Sequence, residues 1–390
     1  MTYRSGRHFL QIPGPTNVPD RVLRAMDRPT IDHRGPAFAN LTREVLAGLK
    51  EVLATQSHVV IYPASGSGAW EAALVNTLSP GNKVLAIDHG FFAINWARVA
   101  GRMGLEVVLV PQDWRLGVDP GVVEETLAAD RDHTFKAVLM VHNETSTGVT
   151  SRVADVRRVL DRLGHPALLM VDTVSSLGCI DYRHDEWRVD VTVAGSQKGL
   201  MLPPGLSFNA ISGQAWRARE VASLPRSYWS WDDMVEHNAT GFFPYTPATN
   251  LLFGLREALA MLREEGLSRV FARHTRLAQA TRCAVEAWGL EIFARIPLEH
   301  SNTVTAVLLP SGTDAEAVRR VALDRFDLSL GAGLGKLKGQ VFRIGHLGDL
   351  NDLMLAGTLC GVEMALQAAG VTVRRNGVQA ALDHLLTSGA

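Results

Sequence analysis

The 390-residue chain has almost no net charge and no long hydrophobic run. Its 39 lysines and arginines nearly balance its 40 aspartates and glutamates, which leaves a formal charge of −1. A protein without a positive field has no electrostatic means of gathering nucleic acid or an anionic membrane surface. No apolar stretch approaches the roughly 20 residues that span a bilayer, and residues 1–7 lack the apolar centre of a signal peptide. We therefore expect a cytoplasmic protein that binds neither nucleic acid nor membrane.

Cysteine is scarce, and the common nucleotide-binding motifs are absent. The three cysteines, Cys179, Cys283 and Cys360, are too few for a disulfide framework and are not spaced as metal ligands, so we expect no metal site. The Gly/Ser turn at residues 64–69 lacks the Gly-Lys-Ser/Thr ending of a nucleotide P-loop. The glycine spacing of a dinucleotide-binding turn is missing as well. These absences argue against a nucleotide-dependent enzyme.

Alternating strand and helix patterns run from about residue 59 to residue 211. Short β-branched runs such as Val59-Val60-Ile61-Tyr62 and Val189–Val193 are followed by Gly/Ser turns and helical segments. This alternation is typical of an α/β fold in which a largely parallel sheet is covered by helices on both faces. In such folds the ligand site lies at the carboxyl ends of the strands.

A lysine and an aspartate each follow a predicted strand. Asp172 ends the apolar run 167–171, and Lys198 stands in the turn Gly195-Ser196-Gln197-Lys198-Gly199. A pyridoxal phosphate enzyme needs a lysine that holds the cofactor aldehyde as an imine and an acid that keeps the pyridine nitrogen protonated. Taken singly, Lys198 reads as a solvated loop lysine and Asp172 as a turn cap. The presence of both residues at strand ends favours a pyridoxal phosphate enzyme over these two separate explanations.

A phosphate site is predicted between the strand at 59–63 and the helix at 70–78. The turn between them contains Ser65, Gly66 and Ser67, whose hydroxyl groups and backbone N–H groups would face an anion at a helix N-terminus. A plain tight turn is the alternative. Two further strand ends supply Phe92 and Thr145. The ring of Phe92 can lie on a planar cofactor. Thr145 stands in a polar loop beside the predicted ring, although serine and threonine in such loops are often only helix caps.

The second half of the chain changes character. Aromatic residues crowd the loop-like stretch 225–247, which we interpret as a lid or a subunit contact, and a smaller α+β unit closed by a helix at 351–369 follows. We predict an N-terminal arm at 1–20, a large domain at 21–265 and a small domain at 266–390. In the last predicted strand Arg343 faces away from Phe342 and Ile344, where it would bind a substrate carboxylate or, alternatively, face solvent.

Seven short motifs give the chain its family resemblance. They are Pro13-Gly14-Pro15-Thr16-Asn17, Ser65-Gly66-Ser67, Asn143-Glu144-Thr145, Val171-Asp172, Gly195-Ser196-Gln197-Lys198, Tyr245-Thr246-Pro247 and Phe342-Arg343-Ile344-Gly345-His346. With them the chain resembles the class V pyridoxal phosphate aminotransferases, above all their serine–glyoxylate and alanine–glyoxylate group, from about residue 8 to residue 370.

The resemblance implies a fold-type I homodimer with a mostly parallel, seven-stranded-type sheet and active sites at the subunit interface. It implies Lys198 as the Schiff-base lysine and Asp172 as the partner of the pyridine nitrogen. The remaining implied contacts are Ser65, Gly66, Ser67 and Gln197 at the phosphate or cofactor, Phe92 and Thr145 near the ring, Thr246 at the neighbouring subunit's phosphate, and Arg343 at the substrate carboxylate.

The amino donor is the open question. Phe92 and Phe243 depart from the tryptophan and tyrosine of the animal alanine–glyoxylate enzymes, and both departures point to the plant and bacterial serine–glyoxylate branch. We therefore predict transfer from L-serine to glyoxylate, giving hydroxypyruvate and glycine. Aspartate, which would need a second cation such as His33, Arg34 or His346, and alanine are the alternatives.

A different chemistry on the same fold is a lyase of the cysteine desulfurase type. That reaction needs a mobile nucleophilic cysteine, and Cys360 is the candidate by position. Its surroundings, residues 354–364, have the apolar periodicity of a buried helix, so the lyase is disfavoured. A catalytically silent binding protein would tolerate loss of Lys198 or Asp172, and both are present.

Overall fold

Two β-sheets of different size organise the computed structural model, which describes residues 5–389. The strands are β1 (Phe9–Gln11), β2 (His58–Tyr62), β3 (Lys83–Asp88), β4 (Glu106–Pro111), β5 (Phe135–Val141), β6 (Asn143–Glu144), β7 (Val149–Thr150), β8 (Leu168–Asp172), β9 (Val191–Gly195), β10 (Ser207–Ile211), β11 (Glu291–Ile292), β12 (Val304–Leu308), β13 (Leu328–Ala332) and β14 (Val341–Gly345).

Helices flank both sheets. They are α1 (Asp20–Met26), α2 (Pro36–Leu53), α3 (Gly66–Thr77), α4 (Phe91–Arg102), α5 (Pro120–Ala129), α6 (Val153–Leu163), α7 (Gly213–Ala218), α8 (Trp231–Thr240), α9 (Thr249–Glu265), α10 (Leu267–Ala287), α11 (Ala315–Phe326), α12 (Asp352–Ala368) and α13 (Gly377–Thr387). Within residues 5–389, no helix is both long and apolar enough to cross a membrane.

The large sheet has seven strands in the order β2-β10-β9-β8-β5-β3-β4. All neighbouring pairs are parallel except those of β10, which runs antiparallel to β2 and β9. Its central strands are buried along their whole length, as expected for a sheet covered on both faces. The predicted α/β class with a mostly parallel seven-stranded sheet is confirmed. At its carboxyl edge Asp172 pairs in register with Val141 and Val193.

The smaller sheet has the order β1-β13-β14-β12-β11. Strand β1 pairs in parallel with β13, so the N-terminal segment is part of this sheet before it crosses to the large one. The side chains of the two sheets bury into separate apolar clusters, and α10 contributes Val270 to the first and Leu277 to the second. The domain boundary between residues 265 and 266 stays a prediction.

Three elements differ from the sequence-based expectation. Helix α3 begins at Gly66 rather than near Trp70, so Gly66 and Ser67 lie in its first turn. The aromatic stretch at 225–247 is only partly a loop, because α8 forms there with the Ser230 side chain accepting a hydrogen bond from the Asp233 backbone N–H at 3.2 Å. Helix α12 does not close the chain, since α13 follows it and packs on α10.

Candidate active site

A cavity of about 150 Å³ lies at the carboxyl edge of the large sheet. Eight of the ten predicted site residues line it: Ser65, Gly66, Ser67, Phe92, Thr145, Asp172, Gln197 and Lys198. Five further residues complete the lining, namely Trp70, Val141, Asn143, Val174 and Ser175. The strand ends therefore bring together groups that are up to 133 residues apart in the chain, from position 65 to position 198.

One end of the cavity is the N-terminus of α3. The N-cap residue Ser65 makes no side-chain hydrogen bond to the first turn, so the backbone N–H groups there keep the positive helix end open to an anion. A glycine is required at position 66, because a Cβ atom there would lie 2.4 Å from a methyl group of Val174. This close approach joins the phosphate-type turn to the loop that follows Asp172.

Asp172 is held by a separate donor on each carboxylate oxygen. The backbone N–H of Val174 donates to Oδ1 at 2.7 Å, and the indole N–H of Trp70 donates to Oδ2 at 2.7 Å. Burial raises the pKa of Asp172 to about 7, although both hydrogen bonds act in the opposite direction. A buried carboxylate of this kind is best neutralised by a ligand that presents a positive N–H.

Lys198 reaches the cavity from the turn after β9, and the N-terminal arm packs against it. Its Nζ donates to the Pro13 carbonyl oxygen, while Thr16 Oγ1 donates to the Lys198 carbonyl at 3.1 Å and the Thr16 N–H donates to the Gln197 carbonyl at 3.1 Å. Burial, followed by the positive charge of Arg343, lowers the pKa of Lys198 to about 8. A substantial neutral amine fraction at physiological pH is what a nucleophilic lysine needs.

The loop at 143–148 is fastened to the N-terminus of α4. The Glu144 carboxylate accepts hydrogen bonds from the backbone N–H groups of Phe92 at 3.0 Å and Ala93 at 3.2 Å, and its other oxygen accepts from Ser146 Oγ at 2.7 Å. These bonds fix Phe92 and Thr145 on the same wall of the cavity. Glu144 is thus engaged as a helix-end anchor, in keeping with a carboxylate at a positive helix terminus.

Arg343 does not line the cavity but lies directly behind Thr145. Its Nη1 donates to the Thr145 carbonyl at 2.8 Å and its Nε donates to the Ala332 carbonyl at 2.7 Å. The residue is only 6% exposed, which excludes the alternative of a surface arginine. Burial lowers the pKa of Arg343 to about 10, so the guanidinium remains charged at neutral pH.

Several other predicted groups lie away from the cavity. Thr246 is exposed, His33 is half-buried and Arg34 is exposed, and none of the three lines the cavity. His346 is fully buried behind β14, where one ring nitrogen contacts Thr305 Oγ1 at 2.9 Å and the other contacts the Asn302 carbonyl at 3.2 Å. Burial lowers the pKa of His346 to about 3, so it supplies no cation at neutral pH.

The burial predicted for Cys360 is wrong. It lies on α12 as expected, but on the exposed face between the buried residues Leu359 and Val362. The apolar composition of residues 354–364 predicts a helix that packs on the core but does not separate its buried face from its exposed face. Because Cys360 stands in the middle of a helix and does not line the cavity, its position still disfavours a mobile nucleophile.

Sequence reasoning missed Trp70, Asn143 and Ser175 as cavity residues. Asn143 belongs to the motif Asn143-Glu144-Thr145, and Ser175 lies three residues after Asp172, so their closeness to strand ends was an available signal. Asn143 donates to Ser175 Oγ at 2.8 Å and to Thr303 Oγ1 at 2.9 Å, which fixes this wall internally. Trp70 lies four residues after Gly66, one helical turn into α3, and this spacing places both on one helix face.

The residues of the cavity fit pyridoxal phosphate. The buried Oε1 atom of Gln197 has no hydrogen-bond partner among residues 5–389, so its amide is available to a ligand. The open end of α3 suits a phosphate, the buried Asp172 suits a protonated pyridine nitrogen, and Lys198, with its lowered pKa, suits an aldehyde. Polar groups of these three kinds at one apolar-walled cavity match the donor and acceptor set of that cofactor.

Comparison with known proteins gives relatives along the whole chain. The family profile described as Aminotransferase class-V matches residues 8–333. The chain is 50% identical to a serine–glyoxylate aminotransferase of Methylorubrum extorquens over 98% of its own length and 97% of the other. It is 47% identical to an L-aspartate–glyoxylate aminotransferase of Paracoccus denitrificans over 96% of its own length and 95% of the other.

Solved structures of similar proteins share the fold. The crystal structure of a ureidoglycine–glyoxylate aminotransferase from Bacillus subtilis superposes with a TM-score of 0.91 at 26% identity, covering 99% of this chain and 100% of that one. A pyridoxamine–pyruvate aminotransferase from Mesorhizobium loti superposes with a TM-score of 0.92 at 28% identity and covers 100% of both chains.

Proposed function

Because the chain belongs to the class V aminotransferases and is a pyridoxal phosphate-dependent aminotransferase, we propose that it transfers the amino group of L-serine to glyoxylate. The products are hydroxypyruvate and glycine. The observation that carries the proposal is the single cavity at which Lys198 with its lowered pKa, a buried Asp172 and the anchored loop in front of Arg343 meet.

Residues around the cavity have separate tasks in holding the cofactor. Ser65, Gly66 and Ser67 with Gln197 would hold the phosphate end, Phe92 and Thr145 would face the ring, and Asp172 would keep the pyridine nitrogen protonated. Pyridoxal phosphate supplies an electron sink for the electrons released at the substrate α-carbon.

Lys198 is the proton carrier. Its Nζ atom, with a pKa lowered by burial to about 8, takes a proton from the α-carbon as a neutral amine and returns it as an ammonium. A base matched in this way to neutral pH loses little free energy in either direction. The Pro13 carbonyl, which accepts a hydrogen bond from Nζ, holds the free amine at the cavity.

Arg343 fixes the α-carboxylate. Two of the five N–H groups that an arginine carries are used for the Ala332 and Thr145 carbonyls, which holds the guanidinium plane in place. The other N–H groups, on Nη1 and Nη2, present a fork that matches a carboxylate. Orientation of the α-carbon toward Lys198 follows from this anchor.

The number of positive charges at the cavity favours serine as the amino donor. Within residues 5–389, Lys198 is the cation that lines the cavity, and Arg343 is the one behind it. Aspartate carries a second carboxylate and needs a further cation, but His346 is buried and neutral and the His33-Arg34 loop does not line the cavity. A neutral hydroxyl needs only a hydrogen-bond partner, and Thr145 is a polar residue on the wall.

The test of the donor assignment is a comparison of kcat/KM for serine, aspartate and alanine, each with glyoxylate as acceptor and glycine as the measured product. We expect serine to exceed aspartate by at least about tenfold, the factor that 1.4 kcal/mol of differential binding provides. Higher kcat/KM with aspartate would reject serine as the donor and would require a cation from outside this chain's cavity.

We also infer a homodimer located in the cytoplasm. The family resemblance implies a role for Thr246 at the neighbouring subunit's phosphate, and the exposure of Thr246 in the single chain is consistent with a role outside its own cavity. The near-zero net charge of −1 supports the absence of nucleic-acid and membrane partners.

A further inference from the structure

Two tryptophans are stacked at the cavity wall, where Trp70 lines the cavity and Trp96 does not, and their indole N–H groups differ in their partners. The rings of Trp70 on α3 and Trp96 on α4 have centroids 5.8 Å apart and planes within 12° of parallel. Both are buried, with exposures of 4% and 1%. The indole N–H of Trp70 donates to Asp172 Oδ2 at 2.7 Å, whereas the buried indole N–H of Trp96 has no partner among the described residues.

The Trp70 hydrogen bond restricts the orientation of Asp172. A carboxylate held at one oxygen only can turn about its Cβ–Cγ bond. Asp172 is held at both, by the Val174 backbone on Oδ1 and by Trp70 on Oδ2, so its plane is fixed. A neutral N–H donor also favours the ionised form of a carboxylate, which is the form that pairs with a pyridinium.

Helix α3 connects this contact to the opposite end of the cofactor site. Its first turn contains Gly66 and Ser67, and Trp70 follows within one further turn. The helix backbone is rigid over this distance, since its hydrogen bonds fix the rise at 1.5 Å per residue. The same helix therefore holds the phosphate end of the cavity and, through Trp70, the carboxylate at the pyridine end.

We propose that Trp70 is a positioning residue of this enzyme: its indole N–H holds the Asp172 carboxylate ionised and oriented toward the cofactor ring nitrogen, in fixed relation to the phosphate turn of α3. The inference rests on the proposed function only in its use of pyridoxal phosphate as the cofactor. The identity of the amino donor does not enter it.

The test measures cofactor binding rather than turnover. Pyridoxal phosphate is removed from the full-length enzyme, and the dissociation constants of pyridoxal phosphate and of its 1-deaza analogue, in which a C–H replaces the ring nitrogen, are compared. The two compounds have the same phosphate, aldehyde and shape. The ratio of their dissociation constants therefore reports the contact between Asp172 and the ring nitrogen. The variants are Trp70→Phe and, as the matched control, Trp96→Phe, which alters the same stacked pair without removing a hydrogen bond to Asp172.

We expect Trp70→Phe to lower the preference for pyridoxal phosphate over its analogue by about tenfold, the effect of losing a hydrogen bond to a charged group. Trp96→Phe should leave the preference within about twofold of the wild type, even if it destabilises the fold by removing buried apolar volume. Equal preferences in the wild type and Trp70→Phe would overturn the proposal. A serine half-reaction that fails while these ratios change as expected would reject the donor and leave the role of Trp70 intact.

Indole NMR provides a second measurement if Trp70→Phe does not fold. The chain has eight tryptophans, whose indole N–H groups give separate signals after 15N labelling. In the cofactor-free enzyme, the indole protons of Trp70, Trp114 and Trp288, which all donate to carboxylates, should be shifted downfield, and only that of Trp70 should lose its shift in Asp172→Asn. Eight indole signals that are unchanged by Asp172→Asn would contradict the contact on which the proposal stands.

Discussion

At the scale of single residues, burial sets the chemistry of the cavity. Removal from water disfavours the charged forms of both Asp172 and Lys198, and their pKa values move toward neutrality from opposite sides, to about 7 and about 8. Neither residue is unusual in the sequence. Their function depends on the strand ends that carry them to the same dry cavity.

The first prediction concerns the protonation of Lys198. Only the neutral amine attacks an aldehyde, and its fraction grows as pH rises toward the pKa of about 8. The rate at which the cofactor-free enzyme takes up pyridoxal phosphate should therefore rise by nearly tenfold per pH unit well below that pKa and level off above it. Stopped-flow absorbance measures this rate. Lys198→Ala is the control without covalent uptake, and a rise that continues to about pH 10, as for an ordinary lysine, would contradict the lowered pKa.

The second prediction concerns Arg343. Arg343→Lys keeps the positive charge but loses the planar fork and the two backbone hydrogen bonds, so kcat/KM for serine should fall by about 10- to 100-fold. Arg319→Lys is the matched control, because Arg319 also donates to a backbone carbonyl of the same sheet, that of Leu330 at 2.8 Å, and does not line the cavity. Equal losses in the two variants would show that Arg343 supports the sheet rather than the substrate.

The positions of Lys198, Asp172 and Arg343 could be predicted from the sequence because each follows or interrupts a short apolar strand pattern, and such patterns are local. Trp70 was not, since its importance depends on a hydrogen bond to a residue 102 positions away. The prediction that Cys360 is buried was wrong for another reason. A helical run that is apolar on average still has an exposed face, and only the packing partner decides which residues lie on it.

At the scale of elements, the N-terminal arm and α3 act as fixed supports of the site. The arm leaves the small sheet after β1, and its Pro13 and Thr16 contact the turn that carries Lys198. Gly14 stands between them with φ +105°, a conformation that disfavours a side chain. A Cβ atom at Gly14 would lie 2.3 Å from Lys198 Cδ and 2.4 Å from Nζ.

The third prediction follows from this contact. Gly14→Ala should displace Lys198 and lower the rate of covalent cofactor uptake by more than about tenfold, because a misplaced nucleophile loses its favourable orientation. Gly6→Ala controls for backbone strain, since Gly6 also has a positive φ of +91° but has nothing within 4 Å of its Cβ position. Cofactor uptake is followed by absorbance, with circular dichroism as the check on folding. Normal uptake by Gly14→Ala would refute a positioning role for the arm.

Element boundaries were less predictable than element types. The start of α3 was placed too late because serine and glycine are poor helix formers, yet an open N-terminal turn favours them. Helix α8 was hidden by the aromatic composition of its surroundings, although Ser230 supplies an ordinary N-cap. In both cases a local cap outweighed the average composition of the segment.

At the scale of the whole molecule, α/β alternation was sufficient to predict a covered, mostly parallel sheet, since only a few topologies bury such strands on both faces. The pairings of β10 with β2 and of β1 with β13 were not predictable from local patterns, because they join segments that are distant in the chain. Subunit contacts belong to the same class, because a single sequence does not specify which exposed residues meet.

The fourth prediction tests the inferred dimer through Thr246. If Thr246 serves the neighbouring site, a mixed dimer of one Lys198→Ala chain and one Thr246→Ala chain contains one intact site, with Lys198 from one chain and Thr246 from the other. We expect tight covalent cofactor binding to reappear on mixing the two variants, at about one site per mixed dimer. Separately purified Thr246→Ala should bind the cofactor more weakly. Mixed dimers without a tight site would place Thr246 in its own chain's cavity or outside any site.

The half-reaction with serine tests the central claim most directly. The cofactor-loaded enzyme is mixed with L-serine in the absence of glyoxylate, and the absorbance of the bound cofactor and the hydroxypyruvate released are measured together, with Lys198→Ala as the inactive control. The proposed function predicts a rapid absorbance change that converts the cofactor to its amine form, with one hydroxypyruvate released per active site. Absence of both signals with serine, aspartate and alanine alike would contradict transamination from these small donors at this cavity.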